Sequence, residues 1–421
     1  MSTRVHNGPP ARLARRLAVV ALLGLSLSGC VYLPRAPLPD PATLTPERRA
    51  VQNREVYDAA WDLIRRGYFS DTFNLVDWKA AHERHLAAAL AAPTDDELYA
   101  AINDMIAELQ DEHTHAISAR DADDMDREQR VLLGLMMRPA TADDKTGPML
   151  VVETIPGSNA AESGIQPGWV LVSCDDAAPL NVLGFGRVHE NQIVRCVFRD
   201  RLDQERVVLL TARRLAVPPL LSARTLENGI VLLRFDKFDS ESARWLRAQL
   251  KEHARAPGIV LDLRQNPGGD AAALGRMLGE FFPHPVDMGT FITRRGINDH
   301  LRAWRWLWSA TYTGPLAVMV SRASASSSEI FSAVLRYHHR ATLVGEKTAG
   351  AVLASRFFPL PGGGRLQLSI DDYVAPDGHR LEHNGVTPDI IVEPSLADLR
   401  AGRDPVLEAA LRILREKPTA P

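Results

Sequence analysis

The chain has 421 residues, 45% apolar and 24% charged, which suits about two to three globular domains with buried cores. Its formal net charge of −3 argues against a protein that binds nucleic acid. Three cysteines are too few for a disulfide-rich scaffold or a cysteine-rich metal site.

The N-terminus has the pattern of an export signal. Four arginines precede a mostly apolar stretch, residues 17–29, which is too short to span a bilayer. Its end, Leu27-Ser28-Gly29-Cys30, resembles the bacterial lipobox, in which the signal is removed and the cysteine receives fatty acyl chains such as palmitate. We therefore expect a signal peptide over residues 1–29 and lipidation of Cys30. No aspartate follows Cys30, so the resemblance favours the periplasmic face of the outer membrane. The alternative is an ordinary signal peptide that happens to contain a cysteine.

A tether and a small helical domain are expected next. Residues 30–45 are rich in proline, which is typical of a stiff linker. Thr45-Pro46 predicts a helix start, because proline is favoured in the first helical turn. Thr94 and Glu97 form a capping-box pattern before apolar residues at helical spacing. The predicted helical domain covers residues 46–118.

After an acidic linker around residues 121–126, apolar runs such as 131–136 predict a compact β-rich module over residues 128–214. Residues 157–168 resemble the short helix and following turn of a PDZ domain. The residues that resemble the carboxylate-binding loop of that domain are Leu133, Gly134, Leu135 and Met136. The resemblance implies binding of a polypeptide C-terminus as an added strand, with backbone N–H groups holding its carboxylate. The alternative is a β-domain that gates another site and binds nothing.

Cys174 and Cys196 both lie in apolar strand patterns of this module. They would pair as a disulfide in an oxidising periplasm, or remain as buried free thiols. The sequence leaves both states open.

Residues 215–421 alternate between strand and helix patterns, which predicts an α/β core. One such boundary holds a cluster of small hydroxyl residues, 324–328, between the apolar run 316–320 and a helical pattern. A serine at a helix entrance lies beside unpaired N–H groups and the positive end of the helix dipole, which suits a nucleophile. A Gly-rich turn at residues 266–269 opens another helix and would supply an oxyanion hole. The alternative is that the serines only cap a helix.

Four ordered motifs carry a resemblance: LDLRQNPGG from Leu261, SASSSEI from Ser324, VGEKTAG from Val344 and NGVTPD from Asn384. Together, over residues 51–394, they resemble the C-terminal-processing (tail-specific) serine peptidases. The resemblance implies a crotonase/Clp-protease-like α/β core and places the nucleophile on Ser326, with Ser324 and Ser328 as less favoured alternatives. The backbone N–H groups expected to form the oxyanion hole belong to Gly268, Gly269 and Ser327.

The base is the point at which this chain departs from part of the family. Members that use a serine and lysine pair carry the lysine where this chain has Ala351, and alanine can take no proton. Lys347 comes four residues too early and is expected to be an exposed loop charge.

The other branch of the family resembles the tricorn protease core, in which a histidine from the helical domain serves the serine. His113 is the matching residue here. His115 is the fallback, about 7 Å further along an extended segment. Glu382 matches a family glutamate that supports the imidazole. Glu112 replaces a serine or glycine, so a hydroxyl relay is either absent or supplied by Thr114.

These features predict a membrane-anchored periplasmic serine endopeptidase. Its substrates would be polypeptides recognised through free C-termini, and no metal or organic cofactor is expected. The alternative is a catalytically inactive lipoprotein that binds protein C-termini through its PDZ-like module.

Overall fold

The computed structural model describes residues 44–140, 147–179, 188–217, 220–304 and 311–416. Its first three helices are α1 (Pro46–Gly67), α2 (Trp78–Ala91) and α3 (Asp95–Ala107). Thr45 caps α1 by accepting a hydrogen bond from the Arg48 N–H, and Thr94 caps α3 by accepting one from the Glu97 N–H. The apolar faces of the three helices share one core. Both capping signals therefore mark helix starts, as the sequence predicts.

The segment after α3 contains β1 (His115–Ile117) and α4 (Ala119–Asp126). The acidic linker expected at residues 121–126 is therefore helical. Ser118 caps α4 by accepting a hydrogen bond from the Asp121 N–H at 3.2 Å. The cap and an acidic side chain in the first turn stabilise the helix despite the weak helix propensity of aspartate.

The β-rich module consists of β2 (Gln129–Leu132), β3 (Leu135–Pro139), β4 (Met149–Thr154), α5 (Asn159–Glu162), β5 (Val170–Cys174), β6 (Ile193–Arg199), β7 (Glu205–Thr211) and β8 (Arg213–Ala216). Strands β3 to β7 form an antiparallel sheet in chain order, and β2 pairs with β8. The apolar run at residues 131–136 is split at Gly134, whose φ is +91°. A Cβ there would lie 2.0 Å from the Ser158 Cβ, so only glycine fits.

The rest of the chain contains β9 (Leu221–Thr225), β10 (Val231–Phe235), α6 (Ser240–Glu252), β11 (Ile259–Asp262), α7 (Ala271–Gly279), β12 (Val286–Thr293), β13 (Asn298–Ala303), β14 (Leu316–Val320), α8 (Ser327–Tyr337), β15 (Thr342–Gly345), β16 (Ala354–Pro359), β17 (Arg365–Val374), β18 (Ile390–Ile391), α9 (Leu396–Arg400) and α10 (Pro405–Glu416). The expected α/β class is confirmed.

The main sheet of this core has the order β18-β15-β14-β11-β10-β9, and every neighbouring pair is parallel except β10 with β9. Alternate residues of its central strands are buried on opposite faces. Leu261 and Val318 belong to the apolar cluster that includes α7 and α8, whereas Val260 and Met319 belong to the cluster that includes α10. Burial on both faces explains why these strands are continuous apolar runs.

A second sheet places the end of the helical region on this core. Its strand β17 pairs with β1, β12 and β16, and β12 also pairs with β13. In the β1 pairing His115 lies opposite Gln367. Across the described ranges, no helix is both long enough and apolar enough to cross a membrane.

Candidate active site

The serine cluster lies in the turn between β14 and α8. Three of its hydroxyls are donors to backbone carbonyls: Ser324 to Leu263 at 2.8 Å, Ser327 to Gly269 at 2.9 Å and Ser328 to Asn266 at 2.8 Å. The Ser326 oxygen takes part in a capping box with the Glu329 N–H, but in the part of the chain that the structure describes its hydroxyl proton is donated to no acceptor. Ser326 is therefore the serine of the cluster whose hydroxyl is available for chemistry.

The backbone of Ser326 is strained. Its φ of 54° and ψ of −121° lie where a residue with a side chain is rarely found, at a cost of about 1–3 kcal/mol. The conformation is held by the Ser326 N–H, which donates to the Ala351 carbonyl at 2.7 Å. Because Ser326 immediately precedes α8, it sits at the positive end of that helix.

Glu329 fixes the loop that faces Ser326. Its buried carboxylate accepts hydrogen bonds from the Thr348 hydroxyl at 2.5 Å, the Gly350 N–H at 2.8 Å, the Ala351 N–H at 2.9 Å and the Ser326 N–H at 3.2 Å. Burial raises the pKa of Glu329 although these donors oppose the shift. The Glu329 carboxylate thus joins the backbone of Ser326 to residues 348–351.

Two of the three expected oxyanion donors are free. The Gly268 N–H donates to the Asn266 side-chain oxygen at 2.8 Å and is not available to an oxyanion. The structure therefore does not support the expected role of Gly268 as an oxyanion donor. A Cβ at Gly268 would lie 2.6 Å from the Ser326 Cβ, so this glycine allows close approach of the two turns. Among the described residues, nothing accepts a hydrogen bond from the Gly269 or Ser327 N–H.

Ala351, at the position of the family lysine, is buried, and its N–H and carbonyl are both used to hold the turn. Lys347 is exposed and lines a surface cavity with Tyr337 and Asn384, whereas Ser326 is not part of that cavity. Within the described ranges, no hydrogen bond joins a lysine side chain of this loop to Ser326.

His113 lies between α3 and β1. Its backbone N–H donates to Asp111 Oδ1 at 2.8 Å. Its Nδ1 is buried and has no hydrogen-bond partner in the described ranges. Burial lowers the pKa of His113, and the charges of Asp111 and Glu112 partly oppose this. No hydrogen bond joins His113 to Ser326 across the described residues, which does not argue against a base, because catalytic contacts often tighten only with substrate bound.

His115, the fallback, has its Nδ1 3.1 Å from the His113 carbonyl oxygen, and burial lowers its pKa. The expected relay residue, Thr114, donates its hydroxyl to Asp111 Oδ2 at 2.5 Å. The single hydroxyl proton of Thr114 is therefore used within this loop.

Glu382 is buried beside the loop that contains Ala351 and Val352. Its Oε2 accepts a hydrogen bond from the Val352 N–H at 2.7 Å. Burial, together with the charges of Asp111 and Asp372, raises the pKa of Glu382 to about 7. Glu382 therefore lies within electrostatic reach of Asp111 and next to the residue that follows Ala351.

A cavity of about 280 Å³ lies between α4 and the β-rich module. Leu133, Gly134 and Leu135 line it, whereas Met136 does not and Met137 does. Leu135 and Met137 share a face because side chains alternate along a strand, so Met136 belongs to the other face. β3 is also an edge strand of its sheet. A cavity with a largely apolar lining beside a strand edge suits an added peptide strand.

Cys174 and Cys196 are free, buried and opposite each other on β5 and β6, with their Sγ atoms 3.3 Å apart. Within the described residues no group of three or more His, Cys, Asp or Glu side chains could hold a metal ion.

A serine with an uncommitted hydroxyl proton lies at a strained helix entrance of an α/β core, beside two N–H groups that no described residue uses, as expected of a serine-type peptidase. The model of peptidase family S41 matches residues 229–392, and the model of the tricorn protease C1 domain matches residues 50–107. The chain therefore carries a peptidase S41 domain and a tricorn C1 domain, and curated proteins similar to it are named carboxyl-terminal-processing proteases.

One such relative, from Synechocystis sp., is 25% identical over 372 residues, covering 84% of this chain and 85% of the relative. Another, from Bartonella bacilliformis, is 28% identical over 358 residues, covering 78% of each.

The solved structure of a photosystem II D1 C-terminal processing protease has a TM-score of 0.60 at 22% identity, covering 86% of this chain and 97% of that one. The tricorn protease has a TM-score of 0.50 at 16% identity, covering 87% and 37%. These two likenesses show the fold.

Proposed function

We propose that the chain cleaves polypeptides with Ser326 as nucleophile and His113 as general base. The observation that carries the proposal is the uncommitted hydroxyl proton of Ser326 on its strained backbone, since the protons of the three neighbouring hydroxyls are donated to carbonyls. His113 supplies the proton acceptor because the family lysine is replaced by Ala351 and Lys347 faces another cavity.

In the first step Ser326 Oγ bonds to the scissile carbonyl carbon and its proton passes to the His113 imidazole. The carbonyl oxygen becomes an oxyanion, which the Gly269 and Ser327 N–H groups and the positive end of α8 stabilise. The tetrahedral species collapses as His113 returns the proton to the leaving amine. A water molecule then hydrolyses the acyl-serine by the same sequence in reverse.

Glu382 supports His113 in this proposal. It is buried next to Val352 and interacts electrostatically with Asp111, which contacts the His113 backbone. An ionised Glu382 would stabilise the imidazolium that forms during the reaction.

Substrate recognition is assigned to the PDZ-like cavity. A polypeptide C-terminus would add to the open edge of β3, with its last side chain among Leu133, Leu135 and Met137. Arg130 also lines this cavity and would attract the terminal carboxylate.

The proposed location is the periplasmic face of the outer membrane, with the chain anchored through acyl groups on Cys30. The support is the N-terminal sequence pattern, and Cys30 lies outside the described residues.

A serine-directed activity probe on purified protein tests the proposed chemistry. We expect the probe to add covalently to Ser326 in the wild type and not in Ser326→Ala, whereas Ser324→Ala should still be labelled. Labelling of a folded Ser326→Ala variant, or none of the folded wild type, would contradict the assignment.

A further inference from the structure

Asp111 lies at the centre of a buried hydrogen-bond network. Its Oδ1 accepts the His113 N–H at 2.8 Å and its Oδ2 accepts the Thr114 hydroxyl at 2.5 Å. The Tyr68 hydroxyl lies near Asp111, and burial together with the charge of Asp111 raises the pKa of Tyr68. Only 9% of Asp111 is exposed, so these contacts replace water around the carboxylate.

Asp111 is the acceptor of this network. Thr114 Oγ1 accepts the Ser369 N–H at 3.1 Å. Its own proton goes to Asp111 Oδ2 at 2.5 Å rather than to the Ser369 hydroxyl at 3.2 Å, because the nearer acceptor is a carboxylate. Asp111 therefore accepts from two donors, the His113 N–H and the Thr114 hydroxyl, while the Tyr68 hydroxyl beside it accepts from Asn74 at 3.1 Å.

The network ties the His113 segment to two separate parts of the fold. Tyr68 immediately follows α1 and is fully buried, and Ser369 belongs to β17. Asn74, which donates to the Tyr68 hydroxyl, also donates to the Leu109 carbonyl at 2.8 Å. The segment that contains His113 is therefore held from the helical side and from the sheet side at once.

Asp111 also places one negative charge beside the catalytic groups. Its charge raises the pKa of His113 against the effect of burial, and it raises the pKa of Glu382. The other charged or titratable groups around this segment are Glu112, His115, Tyr68, Glu382 and, beside His115, Arg130.

We propose that Asp111 is a positioning residue of the peptidase site, which fixes the backbone of His113 and keeps a negative charge beside its imidazole. It acts through His113 and touches neither substrate nor Ser326. The inference rests on the proposed role of His113 as the base.

Asp111→Asn removes the negative charge and keeps the shape of the side chain, because asparagine retains an oxygen that can accept the His113 N–H. We expect kcat to fall about 10- to 100-fold, in the range found when a supporting residue is lost, with KM nearly unchanged. The acid limb of kcat/KM should also move to lower pH, because the lost charge favoured the protonated imidazole. The measurement is cleavage of an unstructured protein substrate as a function of pH.

Asp123→Asn is the matched control, since Asp123 is an exposed acid of α4 that pairs with Arg127. It removes the same charge and should leave kcat and the pH profile as in the wild type. An unchanged kcat and acid limb in folded Asp111→Asn, with His113→Ala inactive, would overturn the role of Asp111 alone. Full activity of His113→Ala would instead overturn the proposed base.

Thr114→Val decides the matter if Asp111→Asn does not fold. This variant removes the neutral donor to Asp111 and keeps the charge, so kcat should fall several-fold while the acid limb shifts little. Wild-type kcat in folded Thr114→Val would contradict the inference, because the network would then not position His113.

Discussion

At the scale of single residues, Ala351 stands where the sequence resemblance expects a lysine base, and its backbone holds the Ser326 turn. Its carbonyl accepts the Ser326 N–H and its own N–H donates to Glu329. Its methyl group offers no proton acceptor. The mechanism therefore depends on a residue from outside the core, and His113 is the candidate that can be tested directly.

Ser326→Ala and His113→Ala should each abolish peptide cleavage, because members of one catalytic unit are strongly non-additive and losing either costs about a thousand-fold or more. Lys347→Ala should retain nearly full activity, since Lys347 is exposed and faces another cavity. Turnover of an unstructured protein substrate by the wild type and the three variants measures this. If Lys347→Ala were inactive and His113→Ala active, the general base would be Lys347 and not His113.

The wild-type rate should rise with pH as His113 loses its proton. Because burial lowers the pKa of His113, the rise should lie below the ordinary histidine range around 6.5. A lysine base would place the rise at higher pH. The kcat/KM profile of the wild type distinguishes the two.

Glu382 should make stability depend on pH. Its pKa rises from an ordinary 4.5 to about 7 in the folded chain, so the folded state binds its proton more tightly than the unfolded state does. Stability from this group is therefore present at low pH and lost as pH rises from 4.5 to 7. Glu382→Gln removes this pH-dependent loss of stability. Its free energy of unfolding at pH 8 should therefore exceed that of the parent by about 1–3 kcal/mol.

Urea unfolding at pH 5 and pH 8 in a Ser326→Ala background measures this difference without autolysis. The prediction would be wrong if Glu382→Gln and its parent differed in free energy of unfolding by the same amount at both pH values. Glu382 would then be ionised in the folded chain throughout this pH range.

The sequence predicts some of these residues and misses others for physical reasons. Ser326 is predicted because the nucleophile turn is local in sequence, so its motif carries the geometry. Asp111 is missed because two groups of its surroundings, Tyr68 and the Ser369 N–H that binds Thr114, are distant in sequence and come together only in the folded chain. The availability of the Gly268 N–H could not be foreseen either, because it depends on the side-chain orientation of Asn266.

At the scale of elements, the open edge of β3 and the cavity beside it form one surface. The expected strand over residues 131–136 is broken at Gly134, and this break separates the loop that would hold a carboxylate from the strand that would pair with a peptide. Periodicity alone could not show the break, because it arises from the close approach of Ser158.

A peptide with an apolar C-terminal residue should bind the Ser326→Ala protein more tightly than its amidated form, because backbone N–H groups and Arg130 favour a carboxylate. Leu135→Ala should weaken binding several-fold, since Leu135 lines the cavity. Val207→Ala, on the opposite edge strand of the sheet, is the control and should bind normally. Equal affinity for the two peptides would remove this role.

At the scale of the whole molecule, Cys30→Ser tests the proposed anchor. Stable anchoring usually requires more than one acyl chain, so loss of the lipidated cysteine should move the protein from the membrane fraction to the soluble fraction. The mass of the mature N-terminus should change in parallel. Unaltered fractionation and N-terminal mass would contradict lipidation at Cys30.

The pairing of β1 with β17 fixes the His113 segment only late in synthesis. The segment is held by Ser369 and by the pairing of His115 with Gln367, which are made long after the helical region. Contacts so distant in sequence close a large loop and form only when both ends are present. If His113 is the base, as proposed, a nascent chain therefore has no assembled site until β17 has been made.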